Sequence, residues 1–251
     1  MQIWEGVADW LSRRQALGGR SIGFVPTMGA LHGGHASLVE RCRAENQVAV
    51  VSIFVNPTQF NDPRDLERYP RTFEADLALL QSLGVDDVLA PPAAELYPQG
   101  RRFRVEEDCV TKPMEGAYRP GFFPGVMTIV LKLLNLVRAD RAYFGQKDYQ
   151  QLQAIADMAR DFFIGTEVVA CPTVREASGL AESSRNALLS AAGRQKASCL
   201  FRALTTASDP GRAREMIEAA GLTVDYVEEH WGRRFAAARL EGVRLIDNVP
   251  L

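Results

Sequence analysis

The chain has 251 residues, 47% of them hydrophobic and 24% charged, a composition that fits one or two folded globular domains and excludes global disorder. Twenty-nine basic residues against thirty-one acidic ones leave a net charge of −2, so charge alone points to neither a nucleic acid nor a membrane surface as partner. The longest apolar stretch, 48–55, falls far short of the ~20 residues that a spanning helix needs, and Glu5 and Asp9 stand where a secretory leader would be basic and then apolar, so a cytoplasmic protein is expected.

In chain order, residues 22–26 are a short apolar run after a glycine-rich turn and predict a strand. Leu38, Val39 and Cys42 mark a helix over 35–45. Residues 48–55 are β-branched and nearly continuous, the pattern of a central strand buried on both faces. Strand, helix and strand within about 30 residues make a parallel βαβ unit. Phe73, Leu77 and Leu80 predict a helix, and 87–90 a strand ending at Pro91 and Pro92. Val126, Ile129, Val130, Leu133 and Val137 recur at helical spacing, and 142–144 follow as a strand. Leu152, Ile155, Ala159 and Phe162 mark another helix, and 167–170 another strand. This alternation predicts a Rossmann-like, doubly wound parallel sheet over residues 1–174. Residues 175–251 read as a small α+β domain: an alanine-rich helix over 191–207, a short helix after Gly211, and β-like pieces at 224–227, 235–240 and 244–246. Cys42, Cys109, Cys171 and Cys199 have neither metal-ligand nor redox spacing, and are expected to be reduced and mostly buried.

Four segments carry the polar chemistry. The first, 26–35 (PTMGALHGGH), follows a strand and opens a helix, where backbone N–H groups favour a phosphate. Gly29, Gly33 and Gly34 allow close backbone approach. His32 and His35 are three apart, share one face once the helix begins, and can donate to phosphoryl oxygens. A structural histidine pair on a glycine turn is the bland alternative; the strand-to-helix setting, using two of only three histidines, favours function. The second, 144–151 (FGQKDYQQ), also lies at a strand end. Lys147, one of four lysines against twenty-five arginines, can reach a phosphate. Asp148 can cap the helix or bind a ribose hydroxyl, and Gln151 points to the same mouth. In the third, 180–186 (LAESSRN), two hydroxyls and a guanidinium suit a polyphosphate, although a serine-rich cap would look the same. In the fourth, 54–60 (FVNPTQF), Gln59 offers neutral donors and an acceptor for a small polar substrate.

Together with YPRT, EGAYRPGFF, GVMTIVLKLLNLV, CPTVRE and a fainter echo in RLIDN, these segments resemble the pantoate–β-alanine ligase (pantothenate synthetase) family over residues 20–190. That family is similar to the class I aminoacyl-tRNA synthetases and nucleotidyltransferases in its nucleotide domain. His32–His35 corresponds to their HxGH signature, and Ser183–Arg185 replaces their lysine-rich mobile loop. The resemblance implies that ATP activates pantoate as an adenylate, which β-alanine then consumes, with Mg2+ accompanying the triphosphate. It implies an ATP site of Met28, Gly29, Ala30, Leu31, His32, Gly33, Gly34, His35, Gly145, Gln146, Lys147, Asp148, Val174, Glu182, Ser183, Ser184 and Arg185. His35, His32 and Lys147 would be catalytic. Gln59 and Gln151 would bind pantoate, with Gln59 also beside β-alanine. The resemblance further implies a homodimer with small-molecule substrates, no nucleic acid and no membrane, and leaves any metal ligands unspecified.

The chain departs from the family pattern at several points. Glu182 stands where the family has an apolar residue and would repel a triphosphate unless Arg185 or Lys147 pairs with it. Gln146 replaces a glutamate, Phe122 a histidine and Pro124 a residue that is often arginine. The stretch 228–234 is shorter than the family's hairpin, which predicts a reduced lid. Two other functions stay open at this point. A nucleotidyltransferase acting on a phosphorylated acceptor is disfavoured by the neutral Gln59 and Gln151. A non-catalytic ATP- or pantoate-binding protein is supported only by Glu182 and the small lid.

Overall fold

The strands β1 (Gln2–Trp4), β2 (Ile22–Thr27), β3 (Val48–Ile53), β4 (Asp87–Leu89), β5 (Arg141–Gly145) and β6 (Glu167–Cys171) form one parallel sheet in the order β1-β4-β3-β2-β5-β6. The computed structural model describes residues 1–100 and 102–251. The chain divides into two units: Met1–Leu31, His35–Gly145 and Gln150–Cys171 form the first, and His32–Gly34, Gln146–Tyr149 and Pro172–Leu251 the second.

In the first unit the sheet order reverses between β2 and β5. Sequence runs outward from β2 through β3 to β4 on one side, and from β5 to β6 on the other. Ligands of open α/β sheets bind outside the carboxyl ends of the strands at such a reversal. The central strand is buried on both faces, as its composition predicts: residues 48–52 are fully enclosed. Helices Val7–Ala16, Gly33–Glu45, Phe73–Ser82, Phe122–Val137 and Tyr149–Asp161 lie between strands. Phe122–Val137 is the most apolar and buries eleven of its sixteen residues. Phe162, expected on the last of these helices, lies beyond its end and is exposed.

Nothing in the sequence pattern announces β1 or the helix Val7–Ala16. Three strand residues have no measurable period, and their place is fixed by distant partners instead. The Trp4 indole donates to Asp87 at 2.8 Å, Arg13 binds the same buried carboxylate, and the Trp10 indole donates to the Leu136 carbonyl at 2.9 Å.

In the second unit β7 (Thr223–His230), β8 (Arg233–Leu240) and β9 (Val243–Pro250) form an antiparallel sheet. They run well past the pieces read from sequence because the turns are only two residues long. Trp231–Gly232 and Glu241–Gly242 all take positive φ, the geometry that matches the twist of a tight hairpin. The helix expected over 191–207 is two helices, Ala191–Ala197 and Cys199–Thr206. They part at Ser198, whose hydroxyl bonds back to the Gln195 carbonyl at 2.7 Å. Helix Pro210–Ala219 starts earlier than expected and contains Gly211; Asp209 caps it through the Arg212 N–H, with proline in the first turn. Leu200, Leu204, Ile217, Leu222, Leu245 and Val249 belong to this unit's core.

Burial raises the thiols of Cys171 and Cys199 and pushes that of Cys42 up to about 12. Cys109 is exposed, so burial holds for three of the four cysteines. Among the described residues no helix is long and apolar enough to cross a membrane.

Candidate active site

The turn after β2 is held by backbone bonds to buried side chains. The Thr27 hydroxyl donates to the Ser52 carbonyl at 2.7 Å and accepts from the Gly29 N–H at 3.2 Å. Gly29 and Ala30 both take positive φ, which an ordinary residue such as Ala30 adopts only when its surroundings enforce it. Asp76, on the helix Phe73–Ser82, supplies that constraint. Its two carboxylate oxygens accept from the Ala30 N–H at 2.9 Å and the Leu31 N–H at 2.8 Å. A Cβ at Gly29 would meet Asp76 at 2.9 Å, so close backbone approach requires glycine there.

His32 directly precedes the helix Gly33–Glu45 and is not on its face; His35 lies half-buried in the first turn. The shared helical face read from spacing is therefore corrected. The His32 Nδ1 accepts from the Gly34 N–H at 3.1 Å, which in the neutral ring leaves Nε2 carrying the proton as the donor. Burial lowers the His32 pKa, and neighbouring Glu182 partly offsets this.

The Glu182 carboxylate turns to the first turn of the helix Gly33–Glu45. Its Oε2 accepts from the Gly34 N–H at 2.9 Å and lies 3.5 Å from His32 Nδ1. The first turn of a helix has unsatisfied N–H groups and a positive dipole end, so it competes well for a nearby carboxylate. This anion-favouring position is thus held by the Glu182 carboxylate. A side chain on Gly33 would collide with the same carboxylate, its Cβ lying 2.6 Å from Oε2.

The turn Gln146–Asp148 follows β5 and leads into the helix Tyr149–Asp161. Lys147 Nζ lies 3.7 Å from the Asp148 carboxylate. In the third segment the Glu182 N–H donates to the Val174 carbonyl at 3.0 Å, bringing those two predicted residues together. Ser183 caps the turn Ser184–Leu188 by accepting from the Arg185 N–H.

After β3, Asn56 caps the turn Pro57–Gln59. The Gln59 Oε1 accepts from Asn56 Nδ2 at 3.0 Å, and its Nε2 donates to the Met28 Sδ at 3.1 Å. Met28 and Gln59 are thus brought together in the first unit. Gln151 sits half-buried in the first turn of its helix.

A family model described as pantoate-beta-alanine ligase matches residues 2–250. The chain belongs to the pantoate-beta-alanine ligase family. It is 46% identical to the pantothenate synthetase of Bdellovibrio bacteriovorus over all of this chain and 99% of the relative. It is 48% identical to that of Legionella pneumophila, with both chains fully covered. Its fold is similar to a crystal structure of the Francisella tularensis pantoate-beta-alanine ligase complexed with beta-gamma ATP and beta-alanine, at a TM-score of 0.95 and 40% identity, covering 100% of this chain and 97% of that one. The pantothenate synthetase of Thermus thermophilus matches at a TM-score of 0.92 and 44% identity, covering 100% and 99%.

The Trp231–Gly232 hairpin joins two eight-residue strands through a two-residue turn. The sequence reading missed Thr27, Asn56 and Asp76, which orient the ligase turns. Asp76 carries no local signal, because its partners lie 45 and 46 residues away.

Proposed function

We propose that the chain condenses pantoate with β-alanine in two steps. A pantoate carboxylate oxygen attacks the α-phosphorus of ATP, the bond to the bridging oxygen breaks, and pyrophosphate leaves. The β-alanine amine then attacks the acyl carbon of the adenylate, loses a proton, and AMP departs with the bonding electrons. No covalent bond to protein forms, so the task of the side chains is positioning and charge stabilisation. The observation that carries this reading is the placement of the His32–His35 and Lys147 segments after β2 and β5, the neighbouring strands where the sheet order reverses.

In this reading Met28–His35, Gly145–Asp148, Val174 and Glu182–Arg185 line the ATP site. His32 donates through Nε2, and His35, Lys147, Ser183, Ser184 and Arg185 stabilise phosphate charge. Gln59 and Gln151 hold pantoate without a cation that would blunt its carboxylate, and Gln59 also faces β-alanine. Magnesium enters with the triphosphate as part of the substrate; among the described residues no three His, Cys, Asp or Glu side chains group as a cation cage. The working form is a cytoplasmic homodimer, which sedimentation equilibrium would report as twice the 27.7 kDa chain mass.

The test is pyrophosphate release from MgATP. It should require pantoate, and AMP should follow on addition of β-alanine. Release without pantoate, or with only a phosphorylated acceptor, would replace the ligase reading. Replacing His35 by alanine should slow release by roughly 10²-fold or more at saturating ATP, as loss of a preorganised donor does; wild-type turnover in that variant would remove His35 from the mechanism.

A further inference from the structure

The RLIDN segment lies on β9, and none of its residues has a role in the chemistry above. Its Asp247 and Asn248 are consecutive polar residues on one strand, 4% and 2% exposed. Burying them is costly unless every polar atom finds a partner, and their partners are specific. Asn248 Nδ2 donates both protons to backbone carbonyls of the lysine turn, those of Gln146 and Lys147, each at 2.9 Å. Its Oδ1 accepts from Arg233 Nε at 2.6 Å, and the Arg233 guanidinium stacks on Tyr149, the residue that opens the following helix. Asp247 receives Arg175 in a two-pronged pair at 2.7 and 2.9 Å. It also accepts from the Asn248 N–H at 2.8 Å, which ties the two side chains together.

Arg175 in turn holds the segment that leads to Ser183–Arg185. Its Nη1 donates to the Gly179 carbonyl at 3.0 Å, and its guanidinium packs on Phe201. Around it the chain folds back on itself through an Arg175–Ala181 bridge and the Glu182–Val174 hydrogen bond. Two adjacent side chains of one strand therefore end on two separate polar segments. If the pair served only stability, apolar residues of similar volume would do as well. Asn248 instead bonds the backbone of the lysine turn, and Asp247 bonds the Arg175 guanidinium, which in turn bonds the Gly179 carbonyl ahead of Ser183–Arg185.

We infer that Asp247 and Asn248 are positioning residues of the ligation: Asn248 fixes the backbone that aims Lys147, and Asp247, through Arg175, fixes the strap that presents Ser183–Arg185. The inference rests on the reading of those two segments as the phosphate-binding ones. One strand then sets both groups of phosphate donors relative to each other, and only the ATP-consuming step depends on that register.

The experiment separates the two half-reactions in the intact enzyme. Asn248→Asp keeps the shape but turns a double donor into an acceptor facing two carbonyls; Asp247→Asn keeps the shape but removes the charge opposite Arg175. Each is measured for pantoate-dependent pyrophosphate release, and for pantothenate formation from supplied pantoyl adenylate and β-alanine. Each should lose about 10- to 100-fold in kcat/KM for ATP, the scale of a misplaced positioning group, with the KM for pantoate and the second half-reaction changed by less than about threefold. Arg233→Met removes the donor to Asn248 Oδ1 and the guanidinium stacked on Tyr149 while leaving both buried side chains of the pair in place, and should show the same ATP-specific loss at about 3- to 10-fold. Equal losses in both half-reactions, or no ATP-specific loss in a folded variant, overturn the inference and leave the ligase reading intact. A wild-type chain that releases no pyrophosphate overturns both.

Discussion

At Gly34 two acceptors compete for one N–H: the His32 ring and the Glu182 carboxylate. Any phosphate bound at this helix start must share or displace the carboxylate, because two anions within a few ångströms in a partly desolvated turn repel strongly. Glu182→Leu should therefore tighten ATP by about three- to tenfold, the worth of one charge at a helix terminus, with a smaller gain at high salt. Isothermal titration showing unchanged or weaker affinity would mean that Glu182 stays bonded to the turn alongside the nucleotide. The same contact opposes the shift that burial gives His32. Burial lowers its pKa and Glu182 opposes that, so Glu182→Gln should move it further below 6.5, as its imidazole resonances would report by NMR. Since the folded chain holds His32 below 6.5, the unfolded chain takes up the proton first as pH falls. This group costs stability on the acid side of 6.5 and nothing above it. The placement of His32, His35 and Lys147 just after strands was legible, because rare residue types sit near glycine at strand ends. The Glu182 contact was not, because a pairing across 148 positions leaves no local trace.

Among the elements, the helix Phe122–Val137 does more than cover the sheet. At Gly125 it touches the backbone of the turn carrying Gln59: a Cβ there would lie 2.5 Å from the Thr58 carbonyl oxygen and 2.8 Å from the Gln59 nitrogen. The Gly125 carbonyl also accepts from Asn56 Nδ2, the group that bonds Gln59 Oε1. The obstructing atoms are backbone, so no side-chain rotation relieves the clash. Gly125→Ala should push the Gln59 turn away, at a stability cost of about 1–3 kcal/mol. The KM for pantoate should rise several-fold while ATP affinity holds; an unchanged KM in a folded variant would remove Gln59 from pantoate recognition. The helix itself was plain from its apolar period. Gly125 was not, because inside a helix the sequence shows a glycine only as a weak point. The continuous 191–207 pattern misled for a related reason: the apolar period runs through Ser198, but its hydroxyl bonds backward and ends the first helix.

The molecule as a whole was legible in its alternation of strands and helices, because parallel strands buried on both faces and amphipathic helices differ in period. The division into units was less so, because the second unit takes two short pieces, His32–Gly34 and Gln146–Tyr149, from turns that follow β2 and β5. This gives the two units unequal dependence on each other. The core of the second unit, built from residues 180–249, includes neither piece and should be weakened without disturbing the first sheet. The reverse does not hold: melting β2 and β5 releases the anchors of both pieces. The three tryptophans can separate these cases, since Trp4 and Trp10 lie in the first unit and Trp231, edge-on to Phe235, in the second. Ile217 is fully buried in the second core, and Ile217→Ala should cost about 2–5 kcal/mol there. In protein labelled with 5-fluorotryptophan, the Trp231 fluorine resonance should then lose its native position at lower denaturant, with the Trp4 and Trp10 midpoints unmoved. Leu80→Ala, in the first core, should move all three together. A common shift of all three resonances in Ile217→Ala would instead show a single cooperative unit, with the second core supporting the sheet that carries its anchors.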